Sequence, residues 1–214
     1  MIWIKFYILL LKKEIEVFVR VHKGSSVKIT RPIKRSFICS VAALFRKLYL
    51  QNGVKFFPIV EFIETILPSC DPDFTFEIVS DNELPGVYAE TIPAQNTIRV
   101  RESVYLKACR HDGFCRQVLA HELWHYIAHS DATVSYAYAD ENTHIPISMD
   151  PEKQANTFAA ELLAPALEVR HLSYAKICKQ YGVTRKTAYV QSRSGSVRFK
   201  QTRKHPHKKK KRSS

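Results

Sequence analysis

No stretch of this 214-residue chain is apolar for the roughly 20 residues that a membrane-spanning helix needs. The nearest approach is residues 1–11, MIWIKFYILLL, which is short and carries Lys5. It has no basic segment ahead of it and no A-x-A-like cleavage site, which argues against secretion. A strand, a membrane-surface contact and sequence upstream of the natural start remain its readings. C-x-x-C pairs are missing as well. The five cysteines (39, 70, 109, 115, 178) are odd in number and lack the spacing of a metal quartet. They fit buried thiols in a reducing cytoplasm better than a disulfide framework. No internal repeat is visible. Acids are absent from residues 198–214, which hold nine Lys or Arg, so residues 1–197 carry only +4 of the total +13. The apolar fraction of 45% is ample for the core of one domain with a small appendage.

What is present is concentrated in residues 116–129, RQVLAHELWHYIAH. His121, Glu122 and His125 form H-E-x-x-H. Residues four apart share a helix face, so the two imidazoles can meet one metal ion. Glu122 projects beside them, placed to take a proton from water that the metal activates. With nine His and thirteen Glu in the chain, a chance match has a probability of roughly 2%. The plainer reading is a surface helix with two solvated histidines. Val118, Leu119, Leu123, Tyr126 and Ile127 count against it by making the helix largely apolar. Imidazoles and a carboxylate in a buried helix need partners, and a metal supplies them.

A hydrolytic metal site also needs a third protein ligand and an open position. Residues 150–165, DPEKQANTFAAELLAP, offer one. Asp150 reads as an N-cap and Pro151 as the first helical residue. An apolar stripe follows through Ala155, Phe158, Ala159, Leu162 and Leu163. Glu152 extends that stripe, which puts a carboxylate on the buried face with the metal as its natural partner. The alternative is that Glu152 only favours the positive end of the helix dipole. Asn156, one turn on, is placed to hydrogen-bond a ligand imidazole. His129 is a further candidate ligand, but it reads better as a hydrogen-bonded histidine near a helix end that tolerates positive charge.

These two segments resemble the ImmA/IrrE metallo-endopeptidases. The signature of that family joins R-x-x-I/L-A-H-E-L-G-H to E-x-x-A-N-x-F-A-A-x-L-L-x-P. Here the two parts read RQVLAHELWH (116–125) and EKQANTFAAELLAP (152–165), and the likeness covers roughly residues 57–188. The resemblance implies that His121, His125 and Glu152 are zinc ligands and Glu122 the catalytic base. It also implies a protein substrate, typically a DNA-binding repressor of a mobile element or stress response. One departure stands out: Trp124 occupies a position where the family usually has Gly, so an indole must find room normally reserved for close packing.

The rest of the chain reads as α+β, a small zincin-like peptidase domain at 37–172 behind an uncertain segment at 1–36. Helices are expected at 40–50 and 59–67, the second stopped by Pro68. Strands at 75–79, 87–92 and 97–101, with turns between, suggest a short antiparallel sheet. The strand at 97–100 is a candidate for pairing with substrate backbone, an ordinary structural strand being the alternative. A short helix at 103–109 precedes the metal-site helix, which Asp112-Gly113 opens. Residues 130–148 read as a loop, in which His144 is a candidate oxyanion contact that reads better as a solvated histidine, and Tyr136 and Tyr138 are candidate transition-state donors without positional support.

Residues 173–193 supply a rival function. AKICKQYGVTRKTAYVQ looks like a helix-turn-helix with Gly182 at the turn, and such a unit puts its second helix in the DNA major groove. A DNA-binding regulator with a vestigial or structural metal site is therefore the alternative to a peptidase. A helical pair packed on the peptidase core is the plainer account of this segment. The basic segment 194–214 is expected to be disordered. Its charge would attract nucleic acid or any polyanion, or serve solubility alone.

Overall fold

The structure, a computed structural model, describes residues 27–30, 32–129, 134–137 and 146–204. The apolar start of the chain, Tyr138, His144, the Tyr136 side chain and the last ten residues lie outside the described residues. The first elements are β1 (Val27–Thr30) and α1 (Arg35–Tyr49). α1 starts five residues earlier than expected because Ile38 already belongs to its buried face with Val41, Ala42 and Phe45. α2 runs through Ile59–Glu61, a π-helical stretch Phe62–Ile66, and Leu67–Cys70. Pro68 therefore does not stop it. In the wider π turn the Leu67 N–H reaches back to Phe62 O, and Pro68 falls in the first turn of the last segment, where its missing N–H is tolerated.

The three expected strands follow as β2 (Thr75–Val79), β3 (Ala89–Ile92) and β4 (Thr97–Arg101). The sheet is mixed, in the order β2-β4-β3, with β4 parallel to β2 and antiparallel to β3. Two corrections result. The sheet is not wholly antiparallel, and 97–100 is the inner strand, with no open edge to offer a substrate. The cause is connection length. The 93–96 turn folds β4 tightly back on β3, while residues 80–88 are long enough to leave a vacant place beside β2. β3 is the edge.

α3 (Glu102–Cys109) leads into α4 (Gly113–Ala128), the helix of the H-E-x-x-H motif. Asp112 caps α4 by accepting from the Cys115 N–H at 2.8 Å. α4 is apolar on nearly every side, and it is correspondingly central and buried. β5 (Val134–Ala137) pairs antiparallel with β1. α5 (Pro151–Leu163) starts at the expected cap, Asp150 accepting from Lys153 N–H at 3.0 Å. α5 packs on both α4 and α1, and the rings of Phe45, Phe62 and Phe158 meet in that core.

α6 (Ala166–Val169), α7 (Tyr174–Tyr181) and α8 (Arg185–Lys204) complete the chain. Gly182, at φ +61°, makes the left-handed turn that ends α7. Ile177, Tyr181, Val183 and Ala188 belong to the same buried core as α4 and α5. α8 runs past residue 193 to Lys204, so the basic tail does not begin at 194 as expected. No proline interrupts the helix before Pro206, and Gly195 alone does not break it. The fully buried Arg116 of α4 locks the helical pair to the rest. Its guanidinium donates to Phe57 O at 2.6 Å, to Tyr181 O at 2.8 Å and to Gly182 O. Among the described residues no helix is long and apolar enough to cross a membrane.

Candidate metal centre

α4 and α5 cross so that His121, His125 and Glu152 point at one place, each offering a ligand atom within 4.8 Å of the others. One carboxylate oxygen of Glu152 lies 3.1 Å from His121 Nε2, and the other lies 3.4 Å from His125 Nε2. The Glu152 side chain is 61% exposed, so it does not continue the buried stripe of α5 as expected. It sits in the first turn of α5, at the rim, and reaches over imidazoles that are only 16% exposed. Glu152 therefore caps the site from the solvent side.

Hydrogen bonds assign a proton to each ring. Gln154 donates through Nε2 to the backbone carbonyl of Ser148 at 2.6 Å, and that carbonyl can only accept. Gln154 Oε1 must then face His129, where it accepts from Nε2–H at 3.0 Å. Burial pushes the His129 imidazole down to about 4, so it is neutral and its Nδ1 is bare. The expected positive charge at this helix end is thus absent, because the site is dry rather than solvated. His125 Nδ1, 2.8 Å from that bare nitrogen, has to be the donor, which leaves the His125 Nε2 lone pair facing His121 and Glu152. His121 reaches the same state by donating from Nδ1 to Asn156 Oδ1 at 3.3 Å.

Two bare imidazole nitrogens therefore stand 2.9 Å apart opposite a carboxylate. Three lone-pair donors at one point repel one another unless a cation joins them, and two His with one Glu is a zinc-type donor set that leaves a position open. Burial opposes charge on His121, but the hydrogen bond to Glu152 and the charges of Glu122 and Glu152 outweigh it and raise the pKa. Without a metal, a proton takes the cation's place.

Glu122 lies beside this point, nearly buried, and burial raises its pKa against the opposing effects of His121 and Thr91. Thr91 of β3 donates to Glu122 Oε2 at 2.8 Å and to its backbone oxygen at 3.1 Å. One edge-strand hydroxyl thus fixes both the helix and its carboxylate. A cleft of about 340 Å³ opens here, bounded by Val87, Tyr88, Phe114 and Val118 together with His121 and Glu122. Sequence reasoning missed Thr91, Gln154 and the Tyr88–Phe114 wall. All three act through residues distant in the chain, and no local motif announces them.

Residues 86–190 match the model of one family, Peptidase M78, described as the IrrE N-terminal-like domain. These residues belong to that family. No curated protein matches the chain. The matched span contains His121, Glu122, His125 and Glu152, the two helices that carry them and the edge strand that holds Glu122. Trp124, the residue foreign to the M78 signature, does not enter the cleft. Its indole is fully buried against Phe158, ring centroids 4.8 Å apart, on the α5 side of α4. Among the described residues its Nε1 makes no hydrogen bond.

The proton order in this M78 site gives a direct expectation. His129→Ala removes the acceptor that keeps the His125 proton on Nδ1, and Gln154→Ala removes the group that orients His129. Each should weaken zinc binding by about 10–100-fold, measured by competition with a chromophoric chelator. Wild-type affinity in both variants would remove any role for this chain of hydrogen bonds.

Proposed function

We propose that the protein is a zinc-dependent endopeptidase that hydrolyses a peptide bond in a protein substrate. The observation that carries this reading is the convergence of His121 Nε2, His125 Nε2 and the Glu152 carboxylate next to Glu122, at the mouth of an open cleft. His121, His125 and Glu152 would hold the metal, leaving its fourth position to water and substrate. When bound, zinc supplies Lewis acidity, polarising the scissile carbonyl and bringing the pKa of water towards about 7. Glu122, steadied by Thr91, accepts the proton of the attacking water and returns it to the leaving amine. Asn156 and His129 keep the two imidazoles in their ligating tautomers.

The substrate lies extended along the open edge of β3, adding a strand to the sheet. An apolar side chain of the substrate enters between Tyr88 and Phe114, whose rings meet edge to face at 5.0 Å. The resemblance to the ImmA/IrrE family supports a DNA-binding repressor as the substrate, and the cysteine pattern supports a cytoplasmic site of action. The test is hydrolysis of a mixed peptide library by the zinc-loaded protein, read by mass spectrometry. Cleavage should stop with a chelator, return with zinc, and favour apolar residues at one position flanking the cut. A protein that binds one zinc per chain and cleaves neither the library nor a co-expressed repressor would refute the reading.

A further inference from the structure

The sequence contains no acidic residue after Glu168. The 168 residues up to that point carry a net charge of −2, and the remaining 46 carry +15. The first part of that segment is folded, on α7 and α8. α8 turns Thr187, Ala188 and Gln191 inwards, and Gln191 Nε2 donates to Ala164 O at 2.8 Å. Its other face, at positions one helical turn apart, exposes Arg185, Lys186, Tyr189 and Arg193. Lys176 and Lys179 of α7 are exposed as well, and Tyr174 meets Tyr189 at 5.7 Å. Among the described residues none of these cations forms an ion pair, whereas cations elsewhere in the fold, such as Arg99 and Lys55, do.

We propose that the exposed face of α7 and α8 binds nucleic acid through its phosphate backbone. Five cations without an ion pair among the described residues, one of them (Arg193) donating to the Tyr189 hydroxyl at 2.9 Å, spread over two fixed helices with exposed tyrosines among them and match a linear polyanion that carries rings. A membrane surface fits less well, because a surface-lying helix needs a continuous apolar face, and among the described side chains of α8 Val190 is the only exposed aliphatic one. The face is also close to the cleft. Thr187 donates to Gln117 at 2.6 Å, and Gln117 lines the cleft. Nucleic acid held on α8 would therefore bring proteins bound to it within reach of Glu122. Binding itself does not depend on zinc chemistry.

The test measures binding of the full chain to a fluorescent 20-base-pair duplex by anisotropy, between 50 and 200 mM salt. The triple variant Arg185→Gln, Lys186→Gln, Arg193→Gln should bind at least about 10-fold more weakly at 50 mM salt. Its plot of log Kd against log salt should be shallower by about 2–3, and that of Lys176→Gln, Lys179→Gln by about 1–2. All of these positions are exposed, and unchanged circular dichroism and zinc content establish that the variants fold. Glu122→Gln should bind like wild type, so this proposal and the peptidase reading fail separately. Wild-type affinity and slope in both surface variants, with binding lost only when Lys208–Lys211 become Gln, would overturn it in favour of the tail. So would binding to vesicles of 30% phosphatidylserine without binding to the duplex, or no binding by the wild type.

Discussion

Glu122→Gln is expected to retain one zinc per chain while peptide hydrolysis falls by about 10²–10⁴-fold. The substitution is nearly isosteric, and the Thr91 hydroxyl can still donate to the side-chain oxygen, so helix and cleft keep their shape. The three groups that would hold the metal are untouched. Only the capacity to accept a proton is lost. Burial already raises the pKa of this carboxylate, which brings it towards working pH and makes it a better base than an exposed glutamate. Zinc retention with a large drop in kcat separates an enzyme from a zinc-stabilised interaction module, in which the variant would have no measurable effect. Undiminished hydrolysis would take the base role away from Glu122. A wild type that binds zinc yet never cleaves would return the advantage to a DNA-binding regulator with a vestigial site.

Trp124→Gly restores the residue that the M78 signature usually has, and it should nevertheless destabilise the protein by about 3 kcal/mol. Deleting a fully buried Trp side chain costs about 3–5 kcal/mol, and glycine inside a helix adds about 1. Relief of the unpartnered indole N–H offsets part of this, by about 1–3 kcal/mol. The ring fills the space beside Phe158 between α4 and α5, the helices that carry His121, His125 and Glu152. Urea unfolding of the metal-free proteins measures the loss directly. Trp124→Phe, which keeps the stacking partner and removes the N–H, should fall between the two. A glycine variant within 1 kcal/mol of wild type would show that the surroundings collapse onto the gap.

The candidate site was legible where its chemistry is local. His121, Glu122 and His125 lie on one helix, and Asp150 and Pro151 mark the start of the next at the right distance from Glu152 and Asn156. Strands 75–79 and 97–101 were equally plain, because their limits are set by turns beside them. Long-range choices were not legible. Nothing in residues 97–101 says that they insert between two earlier strands, and nothing in Thr91 points to Glu122, 31 positions away. Glu152 followed the buried stripe by spacing, yet it lies in a first turn, where the helix has only begun to be covered. At His129 the residue and its need for a partner were visible, but its charge state depended on burial that only the packing of Gln154 and Trp124 creates.

Arg116 bears on how this protein can be divided. A single guanidinium on the helix that carries His121 and His125 is satisfied from both sides, by Phe57 near the start of α2 and by Tyr181 and Gly182 at the end of α7. A chain ended at residue 172 would keep every residue of the site and still strip that cation of most of its partners. A side chain at Gly113 would press on the same junction, since a Cβ there would stand 2.6 Å from the Val183 carbonyl carbon. The basic helices are therefore not a detachable accessory. Recombination that shuffled the hydrolytic half without them would inherit the motif and lose the scaffold that holds it.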